Sequence, residues 1–216
     1  MAEISRGALF GRLNQQALKS LENATQFCKL RGNPYVELVH WIHQLLQDPR
    51  NDVAAIRSKF GIDDARLAQD VVEALNQLPR GATAISDFSP AVEDLAERAW
   101  LYASLAFSAG KVRTGHLIVA GLKSSSLRAA FQQISLEFRK INVETLSDQF
   151  AAIVAASGEA DVAAASAAEG GEGDAGAPAA PGEGKALAQY AIDLTEKARK
   201  GEIETIIGRD AEIRQM

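Results

Sequence analysis

His40 and His43 stand three residues apart in the stretch GNPYVELVHWIHQLL (32–46), a spacing that puts both on one side of a helix. Joined by further donors they would suit zinc, which wants three or four convergent ligands. His116 is the third histidine, but no cysteine or carboxylate completes a set at matching spacing. The single cysteine, Cys28, falls on an apolar helix face, where a thiol reads as buried and inert rather than nucleophilic. No Ser, His and Asp share a spacing that supports a triad. The pattern G-x-x-x-x-G-K-[ST] is absent, and the glycines of 170–184 have no lysine followed by Ser or Thr. The backbone cradle for phosphates is therefore missing, and the chain as given is not expected to hydrolyse ATP alone. Neither a catalytic residue nor a metal ligand emerges.

What the histidines mark is a repeat. GNPYVELVHWIHQLL is echoed at 110–122 by GKVRTGHLIVAGL, with a glycine, a polar turn and then a histidine opening an apolar run. His40 and His116 are 76 residues apart and hold equivalent places in separate units, which points to structural or capping roles. Before each lies a long helix. In the first unit Leu9, Leu13, Ala17, Leu21, Ala24 and Cys28 recur at i+3 and i+4, with a break predicted near Gly11. In the second, Ser89-Pro90 is a helix start, and Val92, Leu95, Ala99, Tyr102 and Ala106 form one face, ending at Gly110. Val36–Leu46 and His116–Leu122 are apolar on most sides and should be the buried helices; Trp41 and Trp100 read as core.

Shorter helices complete each unit. The first carries one from Asp52 to Phe60 and another with Leu67, Val71, Leu75 and Leu78 on its face; the second carries Leu127–Ile134 and a last one lined by Leu146, Phe150, Ile153 and Val154. No alternation is strong enough for a strand. The expected fold is all-α, a pseudo-twofold duplicated four-helix repeat over residues 1–156. Glu97, Arg98, Lys111 and Arg113 read as a solvated face.

Composition changes at Ser157. The segment 157–185 is rich in Ala, Gly and Glu, has no aromatic, and cannot bury enough apolar surface to order itself, so it reads as a disordered linker. Residues 186–216 are patterned again and stop as another helix begins. A net charge of −5 and the lack of a basic block argue against nucleic acid and anionic membrane surfaces. One cysteine, no apolar signal-peptide core and no membrane-length apolar run lead to the expectation of a cytoplasmic chain.

The tail, with YAIDLTEKA followed by IIGRD, is similar to the opening of the first ATPase ring of Hsp100/Clp proteins, and the duplicated unit resembles the Clp N-terminal domain. Within that superfamily, ISRGALFGRLN (4–14), FSPAVEDLAERAWLYASLAF (88–107) and KVRTGHLIVAGL (111–122) resemble the ClpV (TssH) family of type VI secretion AAA+ unfoldases. The resemblance covers essentially the whole chain. It implies that 186–216 is the truncated start of an α/β AAA+ domain, in a parent chain that forms homohexamers and uses ATP and Mg. In that parent, Ile206, Ile207 and Gly208 would lie against adenine or simply pack the first turn of the ring domain.

The resemblance further implies an N-domain that binds a helix near the N-terminus of the large sheath subunit, for recycling contracted sheaths, with an accessory sheath-associated protein as a further partner. Helix-in-groove recognition places apolar anchors in a slot. Leu9, Phe10 and Leu13 are the candidates for one wall and Phe88, Val92 and Leu95 for the other. An apolar stripe does not by itself separate core from binding face; core is the favoured reading for Leu13, and both stand for Leu9 and Phe10. The alternative function is a general adaptor- or aggregate-binding N-domain of a ClpB-like disaggregase.

Overall fold

A computed structural model of the chain describes residues 5–159. The linker from Ala160 onward, the tail 186–216 and its Ile206, Ile207 and Gly208 lie outside the described residues. A short leading helix α1 (Arg6–Phe10) is followed by α2 (Gln15–Arg31), β1 (Tyr35–Val36), α3 (Leu38–Gln47), α4 (Asp52–Lys59) and α5 (Asp64–Asn76). The second repeat runs β2 (Asp87–Phe88), α6 (Pro90–Leu105), α7 (Thr114–Lys123), α8 (Ser125–Ile134), a 3-10 turn over Leu136–Lys140, α9 (Val143–Asp148) and α10 (Phe150–Ile153). Two sets of four helices, α2–α5 and α6–α9, follow one plan.

Local chemistry sets the boundaries. Asn14 caps α2 by accepting the Ala17 amide at 2.8 Å, and Gly32 ends the helix at φ 67°, a conformation glycine adopts without a Cβ penalty. Pro90 fits the first turn of α6, where its missing N–H costs nothing. Gly11 stops the leading helix, so the stripe from Leu9 to Cys28 is carried by two helices rather than one.

The two repeats interlock through backbone pairing, which corrects the expectation of no strands. β1, which leads into α3, pairs in parallel with β2, which leads into α6, with Tyr35 opposite Asp87 and Val36 opposite Phe88. Leu13, which leads into α2, forms a parallel bridge with Val112, which leads into α7. Each repeat's entry to its first helix thus pairs with the other repeat's entry to its second. These segments are too short for alternation to show in the sequence.

α3 and α7 are the buried helices, as expected. Trp41 is fully buried and its Nε1 donates to Ser20 Oγ at 2.8 Å. Every residue of α7 from Thr114 to Leu122 is buried. Gly115 and Gly121 make room there for aromatic rings: a Cβ on Gly121 would lie 2.6 Å from the Phe131 ring, and one on Gly115 2.9 Å from Phe150. Elsewhere the faces differ from the sequence reading. Ala103 is fully buried on the core side of α6, Tyr102 packs at its edge and Ala106 is exposed; the helix ends at Leu105 and not at Gly110. Trp100 is half-buried, packed against the edge of the core under the Arg12 guanidinium, which lies 4.7 Å from its ring centroid.

The packed domain also reaches further than composition suggests. Ser157 and Glu159, at the predicted start of the linker, are buried and hydrogen-bonded to the rest of the domain. They are held by polar bonds at helix ends, a signal that average apolarity does not carry.

Candidate functional site

Both repeat histidines open their buried helices in the same way. His40 Nδ1 accepts the amide of Glu37 at 2.9 Å, and His116 Nδ1 accepts the amide of Arg113 at 3.2 Å. A histidine three residues into the capping box thus takes the place usually held by Glu or Gln. With Nδ1 accepting, the neutral ring carries its proton on Nε2, which in His40 donates to Asn33 Oδ1 at 3.0 Å. The His116 ring clusters with those of Phe107 and Phe150, with centroids 5.0 and 4.7 Å away and the two phenyl centroids 4.6 Å from each other. Burial, then Arg31, lowers the His40 pKa to about 4; burial, then Arg113, lowers that of His116 to about 4. These are structural histidines. Cys28 is buried, its Sγ donates to the carbonyls of Tyr35 and Asn33, and burial pushes its thiol pKa up, which keeps it a poor nucleophile.

The outward-facing feature is α1. Ser5 caps it by accepting the Ala8 amide. Arg6 reaches across to the second repeat, with Nη1 and Nη2 donating to the two carboxylate oxygens of Asp87 at 2.5 and 2.9 Å, and its Nε pairs with Glu93. The hydrogen bond from Arg6 holds the Asp87 carboxyl below its ordinary range. One turn on, Phe10 meets Phe88 edge to face, with centroids 5.3 Å apart. Beyond Gly11 the chain is fixed by Asn14 N donating to Val112 O and Val112 N donating to Arg12 O, both at 2.8 Å, and by Lys111 Nζ on Gly11 O at 2.6 Å.

The six proposed groove residues therefore divide. Phe10 and Phe88 are half-buried and meet at the surface between α1 and the start of α6. Leu9 is 6% exposed, Leu13 4%, and Val92 and Leu95 are fully covered. Leu9 is the buried side chain of α1, which packs on α6, and it joins Leu13, Val92 and Leu95 in the core, so these four do not line an open slot here. Further along α6, Leu101 and Leu105 are exposed, four residues apart on its outer face.

The ionic partners of this face, Arg6, Asp87 and Glu93, were not legible as site residues: nothing in the spacing of three charges so far apart links them. Lys111 is exposed, as the solvated-face reading expects, but Arg113 is not on that face. Arg113 donates to both oxygens of buried Asp52 at 2.8 and 2.7 Å.

This architecture matches known proteins along its length. The family model for the Clp repeat (R) N-terminal domain matches residues 12–134. The AAA+ ATPase ClpV1 of Pseudomonas aeruginosa is 52% identical over 221 residues, covering 100% of this chain and 24% of that protein. The chaperone protein ClpB of Yersinia enterocolitica is 43% identical over 217 residues, covering 99% and 24%. The chain thus spans about a quarter of the length of the curated relatives it matches. A solved chain from a study of the coevolution of the ATPase ClpV, the TssB-TssC sheath and the accessory HsiE protein is 56% identical, with a TM-score of 0.71, covering 74% of this chain and 98% of that one. A complex of a ClpV N-domain with a VipB peptide is 31% identical, with a TM-score of 0.64, covering 74% and 97%. This chain belongs to the Clp repeat N-terminal domain family.

Proposed function

We propose that residues 5–159 are the substrate-recognition domain of an ATP-dependent unfoldase of type VI secretion. The domain binds a short helix from the N-terminal region of the large sheath subunit and delivers contracted sheaths for disassembly in the cytoplasm. The observation that carries this reading is the agreement of two independent features. A ClpV N-domain of this fold was solved with a VipB peptide. This chain presents, on a leading helix that the repeat does not require, an aromatic edge formed by Phe10 and Phe88. That edge is one wall for an amphipathic helix whose apolar anchors recur every three or four residues. The buried Leu9, Leu13, Val92 and Leu95 support the wall from below.

In this reading, residues 160–185 connect the domain to an AAA+ ring that begins in 186–216. ATP and Mg belong to that ring, where Ile206, Ile207 and Gly208 line the adenine edge, and the full chain works as a homohexamer. The 216 residues lack the phosphate-cradling Gly-rich motif. An accessory sheath-associated protein is a further partner.

Isothermal titration of the sheath-subunit peptide into the 216-residue chain tests the proposal. Saturable one-to-one binding that is weakened at least tenfold by Phe10→Asp supports it. Equal affinity for both chains removes α1 from the site. Binding of unfolded model substrates, with none to the sheath peptide, would instead favour the general chaperone role that the similarity to ClpB suggests.

A further inference from the structure

A buried polar cluster of the domain is on neither the peptide face nor either histidine. It lies where three helix starts meet around Glu159. The Glu159 side chain is fully buried. Its Oε1 accepts the amide of Asp52 at 2.9 Å and the hydroxyl of Thr114. Its Oε2 accepts the amide of Thr114 at 3.0 Å and Nδ2 of Asn14 at 2.6 Å. Asp52 is the first residue of α4 and Thr114 the first of α7. A single carboxylate thus satisfies free amides at the start of one helix from each repeat, where the backbone dipoles favour negative charge. Asn14, which caps α2 with its Oδ1, offers its other end to the same group.

The neighbouring residues bind the same short segment. Asp52 receives Arg113 through two hydrogen bonds, and Ser157 Oγ donates to Asp52 Oδ1 at 2.5 Å. Arg113 Nη2 donates to Ser157 Oγ at 3.0 Å, and the Gly158 amide donates to Arg50 O at 2.7 Å. Burial, followed by the adjacent Asp52, pushes the Glu159 carboxyl pKa up, against the donors that favour its charged form.

The way the segment is attached is informative. Val154 is the last buried apolar side chain before it, and Ala155 and Ala156, in between, are exposed. Ser157 to Glu159 is therefore seated by hydrogen bonds and charge at helix ends, as a bound ligand is, rather than by the apolar packing that holds the rest of the domain.

We propose that the starts of α4 and α7, with Asn14 and Arg113, form a carboxylate-binding site whose resident ligand is the chain's own Ser157-Gly158-Glu159 segment, held as a releasable clasp across the two repeats. When seated, the clasp fixes the point at which the chain leaves the domain. When released, it frees that exit and uncovers an anion site of defined shape. The site takes a carboxylate on a short Ser-x-Glu segment, with Arg113 and Asp52 reading the serine hydroxyl.

Native-state hydrogen exchange on the full 216-residue chain tests this. The amides of Asp52 and Thr114 should exchange together through an opening at least about tenfold more frequent than the one that exposes Leu117 and Ile118 in the middle of α7. Glu159→Ala should speed exchange at Asp52 and Thr114 by about 10- to 100-fold, the range for hydrogen bonds to a charged group, and leave Leu117 and Ile118 nearly unchanged. A peptide with the sequence of residues 155–161, added to that variant at about millimolar concentration, should restore protection, while the same peptide with Gln for Glu should not. Exchange of the Asp52 and Thr114 amides only through global unfolding of the unaltered chain would overturn the proposal, as would a peptide without effect. The measurement on the unaltered chain decides the matter even if Glu159→Ala fails to fold, and Glu159→Gln supplies a variant of the same shape.

Discussion

The Phe10 ring meets the Phe88 ring edge-on, at an interplanar angle of 62°. This contact joins a five-residue leading helix to the start of the second repeat, and it is the part of the predicted groove that remains at the surface. Phe10→Ala should weaken the sheath peptide about tenfold, the loss expected when an aromatic anchor is truncated at an interface. The unfolding temperature should fall by no more than about 6 °C, since the lost Phe10–Phe88 pair contributes up to about 1.5 kcal/mol to the fold. Calorimetric titration and thermal scans of the same samples separate the two effects.

Acid should destabilise the domain through its two capping histidines. Each accepts a backbone N–H at Nδ1 and is held to a pKa of about 4, below the ordinary 6.5. Between those values the unfolded chain binds protons that the folded chain excludes. The stabilisation is thus complete above about pH 6.5 and is lost as pH falls toward 4, by roughly 3 kcal/mol per histidine at most. Urea unfolding at pH 7 and pH 4.5 measures the loss, and a His40→Gln, His116→Gln double variant should show a flatter dependence than the unaltered chain.

Asp52 and Arg113 form a pair in which the carboxylate is fully buried and the guanidinium mostly so. Removing one partner leaves a buried charge uncompensated. Asp52→Ala should cost about 3–5 kcal/mol. Asp94→Ala, which breaks the exposed i,i+4 pair with Arg98, should cost less than about 0.5 kcal/mol. Chemical denaturation of both variants gives the comparison directly.

Gly121 should resist even a methyl group. With the Phe131 ring 2.6 Å from the position of a Cβ, Gly121→Ala should destabilise by about 1–3 kcal/mol despite alanine's better helix propensity. Gly7, in the leading helix, has nothing within 4 Å of that position, and Gly7→Ala should be neutral or mildly stabilising. Denaturation midpoints for the pair test whether space or propensity decides.

The helical plan was legible because it is written in apolar spacing. The echo of His40 at His116, the buried character of Val36–Leu46 and the helix start at Ser89-Pro90 all survive in the structure. What was not legible rests on groups brought together from far apart. The pairing of Leu13 with Val112 involves one residue on each strand, too few to alternate. Arg6 finds Asp87 and Glu93, and Arg113 finds Asp52, across the fold, and a charge in sequence looks the same whether its partner is water or a carboxylate. Val92 and Leu95 were expected to line a groove and are covered, because a periodic stripe shows that a face is apolar and not what lies over it. Glu159 was lost in a segment judged by its average composition.

The crossed pairing of the helix entries bears on how the chain reaches this state. Leu13 and Val112 are about 100 residues apart in sequence, and Tyr35 and Asp87 about 50. Neither repeat can complete its own backbone hydrogen bonds, so the unit of duplication is not a unit of folding. The domain should fold in a single cooperative step, and more slowly than a helical bundle built from neighbours in sequence. A chain cut between the repeats yields two halves, each with unpaired entries that only the other half can fill.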